Sequence, residues 1–499
     1  MAQFVIRHGL QVVGREGLTG LVIVGQKRIL QNLQFDGALK DVAANYSLDD
    51  NLWRNAVSRV QKAGRVALNL DLAHMISIPD ASGCSRFNSP SGSVNIYKEM
   101  RSVQFADDVK NVHIVLYADY EHIQASVAAI ARTLYRFSMK SGKSGPPDVI
   151  LDVVCTNGKS LVSKDVAFLA AMSDGIREVG RLIDTPANIL TTDALVDEAV
   201  RVASMIGAKV SILRGDELLE KGFGGIYHVG KAGPTPPAFV VLSHEVEGSD
   251  ETIALVGKGV VYDTGGMQIK TKTGMPNMKR DMGGAAGMLF AFSTLVQSGF
   301  SKNLHACLCI VENNISPAAN KPDDIITMLS GKTVEINNTD AEGRLILADG
   351  VYYAKEFLNA TIIIDMATLT GAQAYLSGRL HGAAMTNDEA LEQLAVHAGR
   401  RSGDLVAPMM FAPDLHFSDL KSPLADMRNS NLGKMEGPPS AIAALFIGSH
   451  IRFGDGLKWM HLDIAAPAES GDRATGYGPS LLAALFGNFT SVPLLQQQQ

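Results

Sequence analysis

The chain has 499 residues, of which 46% are hydrophobic and 19% are charged, and its formal net charge is −6. This length exceeds what one ordinary hydrophobic core supports, so two or more domains are expected. The mildly acidic balance lacks the basic footprint of a nucleic-acid-binding protein, and no nucleic acid is expected as a partner. The 4 cysteines are scattered, which favours a reducing compartment over a disulfide framework.

The two ends of the sequence carry no targeting pattern. Charged residues such as Arg7 and Arg15 interrupt each apolar run near the N-terminus, which is not typical of a secretory signal. The longest apolar runs, such as 361–364, are far too short to span a membrane. We therefore expect a cytoplasmic protein without membrane contact. Residues 491–499, which end in a run of glutamines, are expected to form a disordered tail.

Apolar runs in the first part of the chain predict a smaller N-terminal α/β domain, residues 1–160. The predicted buried strands are Leu21–Val24, Val66–Leu70, Val112–Tyr117 and Val149–Cys155. A long amphipathic pattern from about 163 to 183 then predicts a connecting helix. The domain boundary is therefore expected near residue 160.

Strand-like and helix-like segments alternate from Asp184 onward. The predicted order is strand 253–256, helix 284–296, strand 305–311, helix 344–357 and strand 361–364. This alternation predicts a larger catalytic α/β domain, residues 161–490, with a mostly parallel central sheet flanked by helices. Folds of this class bind their ligands at the carboxyl edge of the sheet.

Two charged clusters fall at that edge, each after a predicted strand and before a predicted helix. The first lies in the Gly-rich segment 256–286 and contains Lys258, Asp263, Lys270 and Asp281. The second is the stretch Asn338-Thr339-Asp340-Ala341-Glu342-Gly343-Arg344. Together they supply four carboxylates, two lysines and one arginine in otherwise apolar, glycine-rich sequence.

Converging carboxylates repel one another unless positive charge lies between them, and divalent metals meet that need. Four carboxylates suffice for two metals if one or two of them bridge. Asp340 and Glu342 lie on one side of the chain if their segment is extended. A neighbouring lysine could polarise a carbonyl or act as a neutral ligand, and Arg344 could hold an anion. A plainer interpretation also stays open, in which Asp340 and Glu342 only favour a helix dipole and Lys270 is a solvated loop lysine.

Histidines and cysteines show no metal-ligand spacing. Cys307 and Cys309 place both thiols on one face of a predicted strand, which favours core packing. His305 and His461 have apolar neighbours and are predicted to be core histidines with satisfied hydrogen bonds.

The stretch 338–344 resembles the signature of the leucine aminopeptidase family, the cytosolic dizinc exopeptidases. Segment 256–286 is similar to a second motif of that family, and weaker similarity runs from Asp184 to Asp463. The animal probable-aminopeptidase branch is the most similar, whereas the first 160 residues carry no matching motif. The resemblance implies a leucyl aminopeptidase-type metallopeptidase, a hydrolase of class EC 3.4.11. Such an enzyme removes the N-terminal residue from short peptides by means of a water activated by two metals.

The resemblance also implies a role for each charged residue. Asp263 and Glu342 would bridge two divalent metals per subunit. Lys258, as a neutral amine, and Asp281 would complete the tighter site, and Asp340 the more exchangeable one. Zn²⁺ is the expected metal, with Mn²⁺ or Co²⁺ as alternatives at the exchangeable site.

The same resemblance implies that Lys270 and Arg344 are catalytic. Lys270 would polarise the scissile carbonyl, while Arg344 and the main chain near Leu369 would hold a bicarbonate that serves as general base. The substrate side chain would be bound by Met278, Thr368, Gly371, Ala465 and Ala468. Segment 465–468 departs from the glycine and methionine more usual in the family, so the preferred N-terminal residue is open.

Further expectations concern assembly and alternatives. The family implies a hexamer, a dimer of trimers, that acts on short peptides with a free N-terminus. One alternative is a dipeptidase-like metal hydrolase of small peptide metabolites, which a substrate panel would distinguish. Another is a non-catalytic regulatory relative, which absence of bound metal would favour.

Overall fold

The computed structural model describes residues 3–12, 19–69, 72–80, 85–105, 108–141, 147–453 and 456–496. Its N-terminal part is built on a six-stranded sheet with strand order β1-β6-β5-β2-β4-β3. The strands are β1 (Phe4–His8), β2 (Thr19–Gln26), β3 (Arg65–Asn69), β4 (Ala73–Ile78), β5 (Asn111–Ala118) and β6 (Asp148–Cys155). The helices are α1 (Lys27–Asn32), α2 (Gly37–Ala44), α3 (Asp50–Ala63), α4 (Ser93–Arg101) and α5 (Ile123–Ala131), and a 3₁₀ turn spans Tyr120–His122.

Helix α6 (Ser163–Asp184) joins this part to the rest of the chain, as the amphipathic pattern predicts. Its apolar residues enter the cores of both parts: Phe168 and Met172 pack with the N-terminal sheet, and Val179 and Leu182 with the second sheet. The predicted boundary near residue 160 falls between β6 and α6 and stays a prediction.

The C-terminal part contains an eight-stranded sheet with order β15-β14-β17-β13-β9-β10-β8-β7. The strands that follow α6 are β7 (Lys209–Arg214), β8 (Ala238–His244), β9 (Thr252–Asp263), β10 (Asn303–Asn313), β11 (Ile325–Thr327), β12 (Thr333–Glu335), β13 (Ile362–Ala367), β14 (Gly382–Thr386), β15 (Val406–Pro408), β16 (Met427–Arg428), β17 (Lys458–Asp463), β18 (Glu469–Ser470) and β19 (Arg473–Ala474). Strands β17, β13, β9 and β10 run parallel at the centre, whereas β8, β7 and β14 join in antiparallel pairs. The mostly parallel central sheet is thus confirmed, with antiparallel edges that alternation did not predict.

Helices cover both faces of this sheet. They are α7 (Thr192–Ile206), α8 (Asp216–Glu220), α9 (Gly224–Gly230), α10 (Gly283–Gln297), α11 (Glu342–Glu356), α12 (Gln373–Ser377), α13 (Glu389–Ser402), α14 (Pro413–His416), α15 (Pro439–Gly448) and α16 (Pro479–Leu485). Short 3₁₀ turns span Met278–Arg280, Phe417–Leu420 and Gly487–Phe489. One core lies between the sheet and α7, α10, α13 and α16, and the other between the sheet and α9, α11 and α15. No helix within the described ranges has the length and apolarity required to cross a membrane.

Glycines in β9 let a helix approach the sheet closely. A Cβ at Gly257 would lie 2.5 Å from Cα of Ala285, at the start of α10. The strand therefore continues through Gly257 and Gly259 to Asp263, well past the predicted end at 256. This extension carries Lys258 and Asp263 on the strand itself.

The end of the chain differs from the prediction of a disordered tail. Val492, Leu494 and Leu495 are buried in the core of the N-terminal part. The Leu494 N–H donates to Asp165, and Arg401 donates to the Leu495 carbonyl. The prediction is therefore wrong for residues 491–496, because the apolar Val-Pro-Leu-Leu segment has a core to enter. Residues 497–499 lie outside the described residues.

Candidate active site

Both charged clusters converge on one cavity of about 680 Å³ at the carboxyl edge of the parallel strands. The carboxyl ends of β9, β13 and β17 meet there, followed by the loops at 264–277, 368–372 and 464–468. The predicted residues that line the cavity are Lys258, Asp263, Lys270, Met278, Asp281, Asp340, Glu342, Arg344, Thr368, Leu369, Gly371 and Ala465.

Lys258 lies in the deepest part of the site. Its Nζ is 2.8 Å from Oδ2 of Asp281 and 2.8 Å from Oε1 of Glu342, and it donates to the Thr368 carbonyl at 3.3 Å. Burial alone would lower the pKa of Lys258, but the carboxylates of Asp281, Glu342 and Asp263 outweigh it and raise that pKa. The ammonium group thus supplies positive charge that the carboxylates require.

Lys270 plays the same part in the shallower half of the site. Its Nζ lies 2.7 Å from Oδ2 of Asp263 and 2.5 Å from Oδ1 of Asp340. Asp263, Asp340 and Glu342 each offer a carboxylate oxygen, and these atoms lie within 4.8 Å of one another. The structure therefore brings together all four carboxylates that the sequence singled out, each within reach of a lysine.

The four carboxylates differ in electrostatic state. Burial and the Glu342 charge raise the pKa of Asp263 to about 6. Burial also raises the pKa of Asp281 and of Asp340. Glu342 is the exception, because Lys258 and Lys270 overcome the effect of burial and lower its pKa. Such a spread is the mark of like charges held close together with too little positive charge to balance them.

Asp340 and Glu342 converge by a turn and not by an extended segment. Asp340 lies in a turn in which its N–H donates to Oδ1 of Asn338 at 2.9 Å, and Glu342 begins α11. The prediction of an extended segment is wrong here because Glu342 already belongs to the helix. The two carboxylates nevertheless lie on the same side of the chain, as predicted.

The absence of a side chain at Gly343 leaves space for the Lys258 side chain. A Cβ at Gly343 would lie 2.7 Å from Cε and 2.7 Å from Nζ of Lys258, and 2.8 Å from Cδ1 of Leu369. No side chain fits there without displacing the lysine. Gly343 of the second cluster is therefore needed for the position of Lys258 of the first cluster.

Arg344 is buried in the first turn of α11. Its Nε and Nη1 have no hydrogen-bond partner among the described residues. Burial lowers the pKa of Arg344 to about 10, against the opposing charges of Glu342 and Asp463. Unpaired donors on a buried cation are costly, and an anion is the ligand that would satisfy them.

Ala468 does not line the cavity, unlike the other residues predicted to bind the substrate side chain. Its side chain is fully buried in the core beneath α10 and α16, and its N–H donates to the Ile464 carbonyl. The turn that follows β17 points this methyl group into the core, so the prediction for Ala468 is wrong in this structure.

Several supporting residues were not singled out from the sequence. Asn313, at the carboxyl end of β10, donates to Oδ1 of Asp263 at 2.8 Å and to the Thr339 carbonyl at 3.1 Å, which ties the two clusters together. Asp463, at the end of β17, accepts the Leu369 N–H at 3.1 Å and the Thr370 hydroxyl at 2.7 Å. A polar residue at the carboxyl end of a strand is the signal that could have identified both.

The cysteine prediction and the core position of both histidines are confirmed, but His461 is not fully satisfied, because its Nε2 is buried without a hydrogen-bond partner among the described residues. His461 is fully buried and its Nδ1 pairs with Asp365 at 2.5 Å, and His305 pairs with Ser243 at 2.8 Å. Cys307 and Cys309 both pack in the core beneath α11.

Comparison with known proteins agrees with this geometry. Residues 178–483 match the model of the cytosol aminopeptidase family, catalytic domain. The chain is 66% identical to leucine aminopeptidase 1 of Caenorhabditis elegans over all of both chains. It is 46% identical to the human probable aminopeptidase NPEPL1, over 89% of this chain and 86% of the human one.

Solved structures share the whole fold. The structure of the Caenorhabditis elegans leucine aminopeptidase superposes with a TM-score of 0.96 and covers 99% of this chain and 100% of its own. The leucyl aminopeptidase of Trypanosoma brucei in complex with actinonin superposes with a TM-score of 0.84 at 33% identity, covering 94% of this chain and 91% of its own. The resemblance seen in the two charged clusters thus extends to the complete chain, and the protein belongs to the cytosol aminopeptidase family, a family of metal-dependent hydrolases that act on peptides.

Proposed function

We propose that this chain is a two-metal aminopeptidase that removes the N-terminal residue from short peptides, with bicarbonate held by Arg344. The observation that carries the proposal is the convergence of Asp263, Asp281, Asp340 and Glu342 on two lysine ammonium groups in one cavity. A purely structural helix terminus would not require four carboxylates, three of them almost fully buried.

The donor set fits two divalent metals. Oε2 of Glu342 is buried and has no hydrogen-bond partner among the described residues, so it is free to act as a ligand. Asp263 and Glu342 would bridge the two ions. Lys258, as a neutral amine, and Asp281 would complete one site, and Asp340 the other. We propose Zn²⁺, with Mn²⁺ or Co²⁺ as alternatives at the Asp340 site, which is the more exposed to solvent.

Bound metals would supply Lewis-acid activation of water and of the scissile carbonyl. Lys270 reaches the shallower half of the site, where it would stabilise negative charge that develops on the carbonyl oxygen. Arg344 would orient bicarbonate through its unpaired Nε and Nη1 donors, and the anion would supply a proton acceptor. Leu369 lies on the same wall, and its own N–H is already donated to Asp463.

The remaining features of the proposal concern the substrate and the assembly. A substrate with a free α-amine would place its first side chain against Met278, Thr368, Gly371 and Ala465, which line the cavity beside the metal-ligating residues. Hexamer formation and a cytoplasmic location are proposed from the family, and a caged hexamer would admit only short peptides.

A substrate panel with metal-stripped protein tests this function. Amine release from aminoacyl chromogenic substrates is measured after addition of Zn²⁺, Mn²⁺ or Co²⁺. Activity restored by metal on free aminoacyl substrates, and absent on their N-acetylated forms, is the expected result. Activity that is equal on N-acetylated substrates, or absent with every metal, would contradict it.

A further inference from the structure

An arginine that is not among the proposed metal ligands forms part of the cavity wall, next to Asp281 in the chain. Arg280, the last residue of the 3₁₀ turn Met278–Arg280, lines the catalytic cavity. Its Nη1 pairs with Oε1 of Glu469, the first residue of β18. The two side chains are only 22% and 18% exposed, so water screens the pair weakly.

Glu469 lies behind Arg280 and does not face the catalytic cavity. It lines a neighbouring cavity of about 570 Å³ between the N-terminal part and the catalytic part. Arg280 thus lines the catalytic cavity, whereas the carboxylate that pairs with it lines the neighbouring one. Among the described residues, the remaining N–H groups of the Arg280 side chain have no hydrogen-bond partner.

The short hairpin β18–β19 that carries Glu469 is held firmly. Arg473, on β19, pairs with Oδ2 of Asp184 at 2.9 Å and stacks 4.1 Å above the ring of Tyr135. Arg101 donates to the carbonyl and hydroxyl oxygens of Ser470 at 3.1 and 3.0 Å. Because Arg101 and Tyr135 belong to the N-terminal part, that part helps to fix the position of Glu469 and thus of Arg280.

Arg280 lies where the substrate side chain is proposed to bind. Met278 belongs to the same 3₁₀ turn, and Ala465 belongs to the loop that leads to Glu469. Lys270 and Asp340 also line this cavity, where they pair with each other. A long side chain directed past Met278 and Ala465 would therefore approach the guanidinium.

We propose, on the basis of the two-metal aminopeptidase function above, that Arg280 selects N-terminal residues with a long, uncharged side chain that carries a carbonyl oxygen, glutamine above all. The free N–H groups of Arg280 donate to that oxygen. Leucine would leave the donors unpaired, which is the kind of mismatch that sites built for hydrogen bonding reject. Because Glu469 already neutralises the guanidinium, a substrate with a glutamate side chain would bind Arg280 little more tightly than one with a glutamine side chain.

The test compares kcat/KM for glutamine, leucine and glutamate amides within each protein. Arg280→Met keeps the length of the side chain and removes its donors, and the glutamine-to-leucine ratio is expected to fall about tenfold or more, the range of one hydrogen bond to a charged group. Arg379→Met is the matched control: Arg379 is exposed on the loop beside Arg280 and does not line the catalytic cavity, so the ratio should stay within about twofold.

The variant Glu469→Gln tests the proposal independently. It leaves the Arg280 charge unbalanced, so the glutamate-to-glutamine ratio should rise about tenfold. Unchanged ratios in Arg280→Met, or an equal effect of Arg379→Met, would overturn the inference.

The proposed function fails separately, if the metal-loaded wild type hydrolyses none of the amides. Calorimetric binding of free glutamine and leucine then gives the same comparison without turnover. If the ratio of the affinities for glutamine and leucine is the same in the wild type and in Arg280→Met, the proposed role of Arg280 is overturned.

Discussion

Glu342 contributes to the site in two ways, since one carboxylate oxygen contacts Lys258 and the other has no hydrogen-bond partner in the described part of the chain. Glu342→Ala removes a proposed bridging ligand, so we expect bound metal to fall below that of the wild type and turnover to drop to background. Elemental analysis after dialysis, together with an activity assay, measures both. Metal content equal to that of the wild type would contradict the assignment of Glu342 as a ligand.

Lys270 is expected to act on the substrate and not to bind metal. Lys270→Ala should retain metal while turnover falls by about a hundredfold to a thousandfold, the usual cost of removing one donor that stabilises an oxyanion. Lys272→Ala is the matched control, because Lys272 is exposed on the same loop and does not line the cavity, and it should remain active. Loss of metal in Lys270→Ala would mean that the roles of Lys258 and Lys270 are exchanged.

The first turn of α11 combines a ligand, a glycine and an arginine within three residues. Gly343→Ala should preserve the helix, since alanine favours helical backbone. Its Cβ, however, would force Lys258 away from Asp281 and Glu342. We expect reduced metal content and at least a tenfold loss of turnover, with the circular dichroism spectrum unchanged.

Gly180→Ala in α6 is the control for this helix prediction. A Cβ at Gly180 has no neighbour within 4 Å, and the residue lies inside a helix. The substitution should leave activity intact and raise the free energy of unfolding by about 0.4–1 kcal/mol. If Gly343→Ala behaved like Gly180→Ala, close contact with Lys258 would not be the reason for the glycine.

Sequence periodicity predicted the elements that carry the site, but not all of their limits. The helices predicted at 284–296 and 344–357 correspond to α10 and α11 within two residues at each end. Strand β9 was predicted to end at Val256, whereas it continues through Gly257 and Gly259 to Asp263. Those glycines instead admit α10 against the sheet, a long-range contact that no local pattern contains.

The charged clusters were recognisable from sequence because their residues are close together along the chain. Asn313 and Asp463 were not recognised, since each reaches the site only through the parallel register of β10 and β17 beside their neighbours. Ala468 shows the reverse limit. The family resemblance of segment 465–468 implied a place in the cavity, whereas the Ala468 side chain is buried in the core.

At the scale of the whole molecule, Glu178 on α6 links the two parts of the chain. Its carboxylate contacts Arg136 from the N-terminal part, Arg181 at 2.7 Å and Arg201 at 3.2 Å. Glu178→Gln leaves these cations without their shared charge, so the free energy of unfolding should fall by about 2–3 kcal/mol at pH 7. Glu220→Gln, at an exposed position on α8, should change it by less than about 0.5 kcal/mol.

The contacts of Glu178 with these arginines also predict how the stability of the fold changes with pH. Burial would raise the pKa of Glu178, but Arg181 and Arg136 lower it below 4.5. A lowered folded-state pKa stabilises the fold above the unfolded-state value, and that contribution is lost as the pH falls through the folded-state value. Denaturant titrations should therefore show the largest difference between wild type and Glu178→Gln at pH 7 and a smaller one below about pH 4.5. If the difference in unfolding free energy between wild type and Glu178→Gln grows as the pH falls, the stabilising role of Glu178 is contradicted.

The stoichiometry of metal activation tests the two-metal site most directly. Metal-stripped protein is titrated with Zn²⁺ or Mn²⁺ while bound metal per chain and hydrolysis of a free aminoacyl amide are followed together. We predict that activity saturates as the second ion binds to each chain. Full activity with one ion per chain, or saturation of two sites without any hydrolysis, would contradict a two-metal aminopeptidase centre.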